Sequence, residues 1–222
     1  MLKGLDDFLA DSYDRGEVVG SWGFNSNLNF TRMKPEENNV WFFEQTFNFL
    51  RAFFGLVAPD NLEIITYNAT QKVVKKNLDQ QTFLDELMLM MKKLKEPIWT
   101  LRLNLGIIGF LRKSWDPSNP IRIHIQEPAS LIIWGGPDET GFQSFSIGYT
   151  FFSSQTLEEE GTELWSMNQP LLEKGLRKWE QQTGRMIEVV DSNGGLPVYR
   201  YGFKKPTQPS PRKTQGRQPL PR

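Results

Sequence analysis

His124 is the one histidine of the chain, and there is no cysteine. Those two counts decide most of what its side chains can do chemically. Without cysteine there is no thiol nucleophile, disulfide framework, thiolate zinc site or iron–sulfur cluster. With one imidazole, a metal site needing two histidines cannot be assembled from one chain, and a Ser-His-Asp triad would have to use His124. Oxygen-ligand Mg²⁺ or Ca²⁺ sites stay open, because carboxylates and carbonyls suffice. Glu158, Glu159 and Glu160 are adjacent, so on a helix they diverge and suit its positive end better than a metal. The glycine-rich stretches at 135–141 and 194–195 have neither Walker spacing nor the dinucleotide fingerprint with a following helix. No G-x-S-x-G is present. Carboxylate pairs for glycoside chemistry need only spatial proximity and stay open. The sequence therefore assigns no catalytic residue, metal ligand or cofactor.

His124 lies in an alternating stretch: Ile121, Ile123 and Ile125 interleave with Arg122, His124 and Gln126. Leu101, Leu103 and Leu105 interleave in the same way with Arg102 and Asn104. Period-2 alternation means strands with one face inward and one outward. If the two strands are neighbours, Arg102, Asn104, Arg122, His124 and Gln126 form one polar face. It would bind an anion, or hold a small site with His124 as acid or base. The competing reading, which the pattern favours, is the solvated face of a half-covered sheet.

A second candidate is electrostatic. The stretch 204–222 holds six of the 26 basic residues and none of the 26 acidic ones, which leaves 20 basic against 26 acidic in 1–203. A formal charge of zero thus divides into a body of −6 and a tail of +6. Lys204, Lys205, Arg212, Lys213, Arg217 and Arg222 alternate with five prolines, and no aromatic follows Phe203. Such a segment buries too little apolar area to offset ordering and is expected to be disordered. Its cations suit an anionic surface or nucleic acid. Pro206-Thr-Gln-Pro209 and Arg217-Gln-Pro-Leu-Pro-Arg222 suit a polyproline II helix in an aromatic groove. Ser210 precedes a proline and would accept a proline-directed phosphate, offsetting local positive charge.

The elements that must position these groups begin with an apolar spacing over 2–12 that predicts a short amphipathic helix. Strands are expected over 17–24 and 28–33, turning at Asn25-Ser26-Asn27. The spacing predicts a helix over 40–57 with Phe43, Phe47, Leu50, Phe54 and Val57 as its buried stripe and Glu44, Asn48 and Arg51 opposite. It is apolar around well over half its circumference. Trp41, Phe42, Phe49 and Phe53 are therefore candidates for a subunit or membrane contact beyond the core. A hairpin is expected from 62–67 and 71–76, then a helix over 82–95 started by a Thr82–Asp85 capping pair. Strands fill 98–152. A helix over 157–183 is capped by Thr156 and Glu159 and divided at Pro170. A closing hairpin pairs 185–190 with 196–203.

Strands run in groups joined by tight turns, without regular β-α-β alternation. The fold expected is α+β: a mostly antiparallel sheet with four to five helices packed mainly on one face, and a disordered tail. Residues 1–203 form one domain and 204–222 the tail. The N-terminus lacks a secretory signal, and no apolar run reaches the length of a spanning helix, which points to a cytoplasmic protein. A chemically poor inventory beside strong charge segregation points to a non-enzymatic binding or accessory protein. Its partner would be another protein, with homo-oligomers open. The alternatives are an enzyme with a carboxylate- or His124-centred site, and a peripheral membrane protein.

Overall fold

The computed structural model describes residues 3–4, 20–79, 81–113, 116–136, 140–147, 160–191 and 198–204. In chain order these form β1 (Lys3–Gly4), β2 (Gly20–Asn25), α1 (Pro35–Ala52), β3 (Val57–Thr66), β4 (Lys72–Lys75), α2 (Phe83–Lys93), β5 (Ile98–Lys113), β6 (Asp116–Trp134), β7 (Phe142–Ile147), α3 (Glu160–Thr183), β8 (Glu188–Asp191), β9 (Val198–Tyr199) and β10 (Gly202–Phe203). Eight strands make one sheet in the order β4-β3-β5-β6-β7-β2-β8, with β1 on β6. All its pairings are antiparallel except β1 with β6.

Alternation along the strands becomes layers across them. Leu62 faces Leu103, Leu103 faces Leu131, Leu131 faces Phe145, and Phe145 faces Trp22. All five side chains are buried. The three helices pack on this face. Phe49 and Phe53 of α1 lie 5.1 and 4.8 Å from the Phe145 ring, and both also contact Trp179 of α3. Phe83, Leu87 and Met91 carry α2 into the same core. Helices α1 and α3 approach closely because residue 175 is glycine: a Cβ there would run into the buried Phe53 ring.

Five expectations need correction. The number of α-helices among the described residues is three, not four to five. One loss is at the N-terminus. Lys3–Gly4 adds a strand beside Ile123 and His124, and the rest of the expected 2–12 helix lies outside the described residues. The other is at Pro170, which stands inside a continuous α3. Pro170 faces solvent, and contacts made by Asn168 and Gln169 before it and Leu172 after it hold both halves in line. The capping residues expected at 156 and 159 lie outside the described residues.

Residues 28–33 form no strand: Phe30–Arg32 is a 3₁₀ turn, with Asn29 Oδ1 accepting the Thr31 N–H. Thr82 does not cap α2; its hydroxyl donates to Glu86 Oε1. The closing hairpin also differs. β8 pairs with β2, while β9 pairs with β10 in a separate ribbon.

The last correction is the phase of α1. Its buried residues are Asn38, Asn39, Phe42, Thr46, Phe49 and Ala52, followed by Phe53. Phe47 is 37% and Phe54 90% exposed. Phe42, Phe49 and Phe53, expected as contact rings, are core, whereas part of the expected core stripe faces out. Trp41 is half-buried against Phe30 and Phe42.

Candidate functional site

The exposed stripe of α1 ends in a groove. After Ala52 the chain turns back into β3 through Gly55, whose φ of +83° is costly for any residue with a Cβ. The turn is closed by bonds from the Leu56 and Val57 N–H groups to the Phe53 carbonyl. It leaves Phe54 standing outward. The last carbonyls of α1 carry the negative end of the helix dipole and need donors. One cation from a distant element supplies such a donor, and a second braces the turn that follows. Lys178 of α3 donates to the Arg51 carbonyl at 2.9 Å, and Arg122 of β6 donates to the Gly55 carbonyl at 2.8 Å.

These contacts frame a groove of about 640 Å³. Phe47, Leu50 and Phe54 form one wall. Phe83 and Leu84 of α2 form the other, and Val57, Pro59 and Ile108 line it between them. Arg51, Arg122 and Lys178 stand at its rim, and among the described residues no acidic one lines it. The groove offers apolar area with a local charge of +3, whereas residues 1–203 sum to −6.

On the other flank of α3 lies a cluster of opposite character. Gln169, Glu173, Arg177 and Glu180 are spaced 4, 4 and 3 apart, which sets them in one stripe of the helix. They grip the β9–β10 ribbon. Gln169 accepts the Phe203 N–H and donates to the Tyr201 carbonyl and Tyr199 hydroxyl. Gly202 has φ +130°, and a Cβ there would collide with Gln169. Glu173 accepts from Arg177 and from the Tyr199 hydroxyl. Glu180 accepts the Ile187 N–H at 2.9 Å, Arg200 at 2.7 Å and the Tyr201 hydroxyl at 2.8 Å. The Arg177 guanidinium lies 4.0 Å from the Tyr201 ring centroid.

The electrostatics follow from those contacts. The bond from Arg177 holds the Glu173 carboxyl below its ordinary value. Burial pushes Glu180 upward, but the Ile187 N–H, Tyr201 hydroxyl and Arg200 together outweigh it and leave it lowered. Burial, then the neighbouring carboxylates, raise Tyr199 and Tyr201. Every member of this cluster already has protein partners, so it is built to hold the ribbon in place.

The sheet residues singled out from sequence divide into two neighbourhoods. Arg102 faces Ile132 and Asn104 faces Ser130, while Arg122 faces Phe110 and His124 faces Ile108, beyond a register shift at 105–107. Arg102 and Asn104 line a polar recess with Asn61, Glu63, Lys76 and Asn77. Arg122 belongs to the groove rim. His124 lies over Gly106, where any Cβ would collide with its ring. Its Nε2 is buried, makes no hydrogen bond, and lies 3.9 Å from Asp60 Oδ1. The Gln126 side chain lies outside the described residues. So do tail residues Lys205, Arg212, Lys213, Arg217, Arg222 and Ser210; Lys204 is exposed. Among the described residues no group of His, Asp and Glu converges to hold a metal ion, and no helix is long and apolar enough to cross a membrane.

Sequence reasoning missed the groove and the ribbon cluster. The stripe 169/173/177/180 carried a readable signal, since three of its four residues are charged at helical spacing. Nothing in the sequence marked Lys178 or Arg122 as donors to the Arg51 and Gly55 carbonyls. Compared with protein-family models, curated proteins and solved structures, the chain matches none.

Proposed function

We propose that the chain is a non-enzymatic binding protein that makes its principal protein contact through the groove at the C-terminal end of α1. The basic segment 204–222 would add an electrostatic or polyproline contact. The observation that carries this reading is Phe54, 90% exposed at the mouth of an apolar groove. Leaving a phenylalanine in water forgoes roughly 1.5–3 kcal/mol of burial, and single exposed rings are otherwise unremarkable. Here the ring is part of a concave apolar wall, the geometry that a partner's side chains fill.

The test is site-specific photo-crosslinking in the source cells, with the reactive residue at position 54 or at Glu36, exposed at the other end of α1. Discrete protein adducts are expected from position 54 and absent from position 36. Equal adduct patterns from both positions would remove the reading.

A second reading, an enzyme centred on His124, rests on its buried Nε2 near the Asp60 carboxylate. A lone histidine makes the check clean. Diethyl pyrocarbonate should acylate an imidazole open to substrate as fast as it does free histidine. Protection of at least tenfold would count against the enzyme.

A further inference from the structure

We infer that the groove selects an acidic peptide segment of a partner protein, one or two large apolar side chains entering between Phe47, Phe54 and Leu84 while flanking carboxylates meet Arg51, Arg122 and Lys178. This rests on the protein-binding reading above and names the chemistry of the partner.

Three observations carry it. The first is donor capacity. Lys178 gives a bond to the Arg51 carbonyl of α1 and Arg122 one to the Gly55 carbonyl just beyond it, but a guanidinium has five N–H donors and an ammonium three. Those carbonyl bonds also anchor the two side chains, so part of the ordering cost of binding is met before a ligand arrives. Arg51 is exposed beside them. The second is sign. A +3 rim with no acid among its described lining residues stands within residues 1–203, which sum to −6 and which residues 204–222 bring to zero. The full chain has no net charge to draw an anionic partner from long range. The rim's attraction acts only within about a Debye length, some 8 Å at physiological ionic strength. Recognition must therefore come from close carboxylate–cation contacts. The third is shape. The exposed Phe54 is one wall of a concavity of about 640 Å³, which admits side chains.

The experiment is selection of a random dodecamer display library on the full chain, with the Phe54→Ser variant used for counter-selection. Recovered peptides should carry Asp or Glu flanking Leu, Phe or Trp. A representative should bind the full chain at least tenfold tighter than its version with Lys replacing the acids. Arg51→Glu, checked for fold by circular dichroism, should narrow that ratio at least tenfold.

Phe54-dependent peptides without acidic bias would overturn the inference while leaving the groove as a protein site. Four other results would also overturn it. These are no Phe54-dependent peptides, Phe54-dependent self-association of the chain, Phe54-dependent flotation with anionic vesicles, and binding of dodecanoate without peptide binding. Crosslinked partners from position 54 in cells, together with an unbiased library, would separate a failed inference from a failed binding reading.

Discussion

Helix α3 carries two polar neighbourhoods on either side of its core stripe. On one, Glu173 and Glu180 receive bonds from Arg177, Arg200, two tyrosine hydroxyls and the Ile187 N–H. On the other, Lys178 and Arg122 each spend one donor on a carbonyl and face an apolar groove. Both hold charge near a hydrophobic surface. They differ in saturation. A cluster whose carboxylates and hydroxyls are bonded inside the chain, and whose unpaired Arg200 Nε is buried, contributes to stability and has little left to offer a ligand. A rim with surplus donors beside uncovered rings contributes little to folding and keeps its capacity for another molecule.

The sharpest form of this contrast is two adjacent residues, Phe53 at 1% exposure and Phe54 at 90%. Phe53→Ala should cost about 3–5 kcal/mol in urea unfolding, the range for a buried aromatic. Phe54→Ala should fall within about 0.5 kcal/mol of the parent. A large loss from Phe54→Ala would mean that the groove is part of the core, and the contrast would collapse.

Next in size is Gln169→Ala. It strands the Phe203 N–H, which is buried and takes its acceptor from this side chain. The expected loss is about 2 kcal/mol, read by urea titration. A loss under about 0.5 kcal/mol would show that the ribbon holds without its clamp.

Glu180→Gln sharpens the comparison through pH. The folded carboxyl is lowered from its ordinary 4.5. Its contribution is therefore fully present above that value and is lost as pH falls through the lower folded value. The variant should be less stable by about 1–2 kcal/mol at pH 7, and the gap should close toward pH 3. A gap that persists unchanged at pH 3 would mean that shape, and not charge, holds the ribbon. The smallest effect belongs to Lys178→Met, expected to change stability by less than about 0.5 kcal/mol. It should weaken binding of acidic peptides, measured by fluorescence anisotropy.

The phase of α1 explains how much of this was legible in the sequence. Two stripes compete there: 43/47/50/54 and 42/46/49/53, each spaced 4, 3 and 4. The first is wholly apolar, whereas the second contains Thr46, so pattern alone prefers the wrong one. The fold reverses the choice because the Thr46 hydroxyl bonds back to the Phe42 carbonyl at 2.9 Å and enters the core satisfied. The strands were read more faithfully, since alternation in 101–105 and 121–125 leaves only one way to bury the leucines and isoleucines. Their register was not readable. A register shift at 105–107 falls between Asn104 and His124, and no alternation in the sequence marks it. The groove was invisible for a related reason. It is assembled from α1, α2, β3, β5, β6 and α3, and no local spacing encodes that meeting.

The place of β2 in the sheet has a consequence for how the chain emerges from the ribosome. Gly20 pairs with Ile147, and Gly23 with Glu188. The β3–β4 and β5–β6 hairpins can close soon after their own residues appear. β2 is made early yet must wait for partners more than a hundred positions later. At 5–20 residues per second that delay is on the order of ten seconds. Through it Trp22 and Phe24, both buried in the finished sheet, stand without their neighbours. The insertion of β2 between β7 and β8 is thus a late step of folding, and nascent-chain holdases have a defined interval in which to act on it.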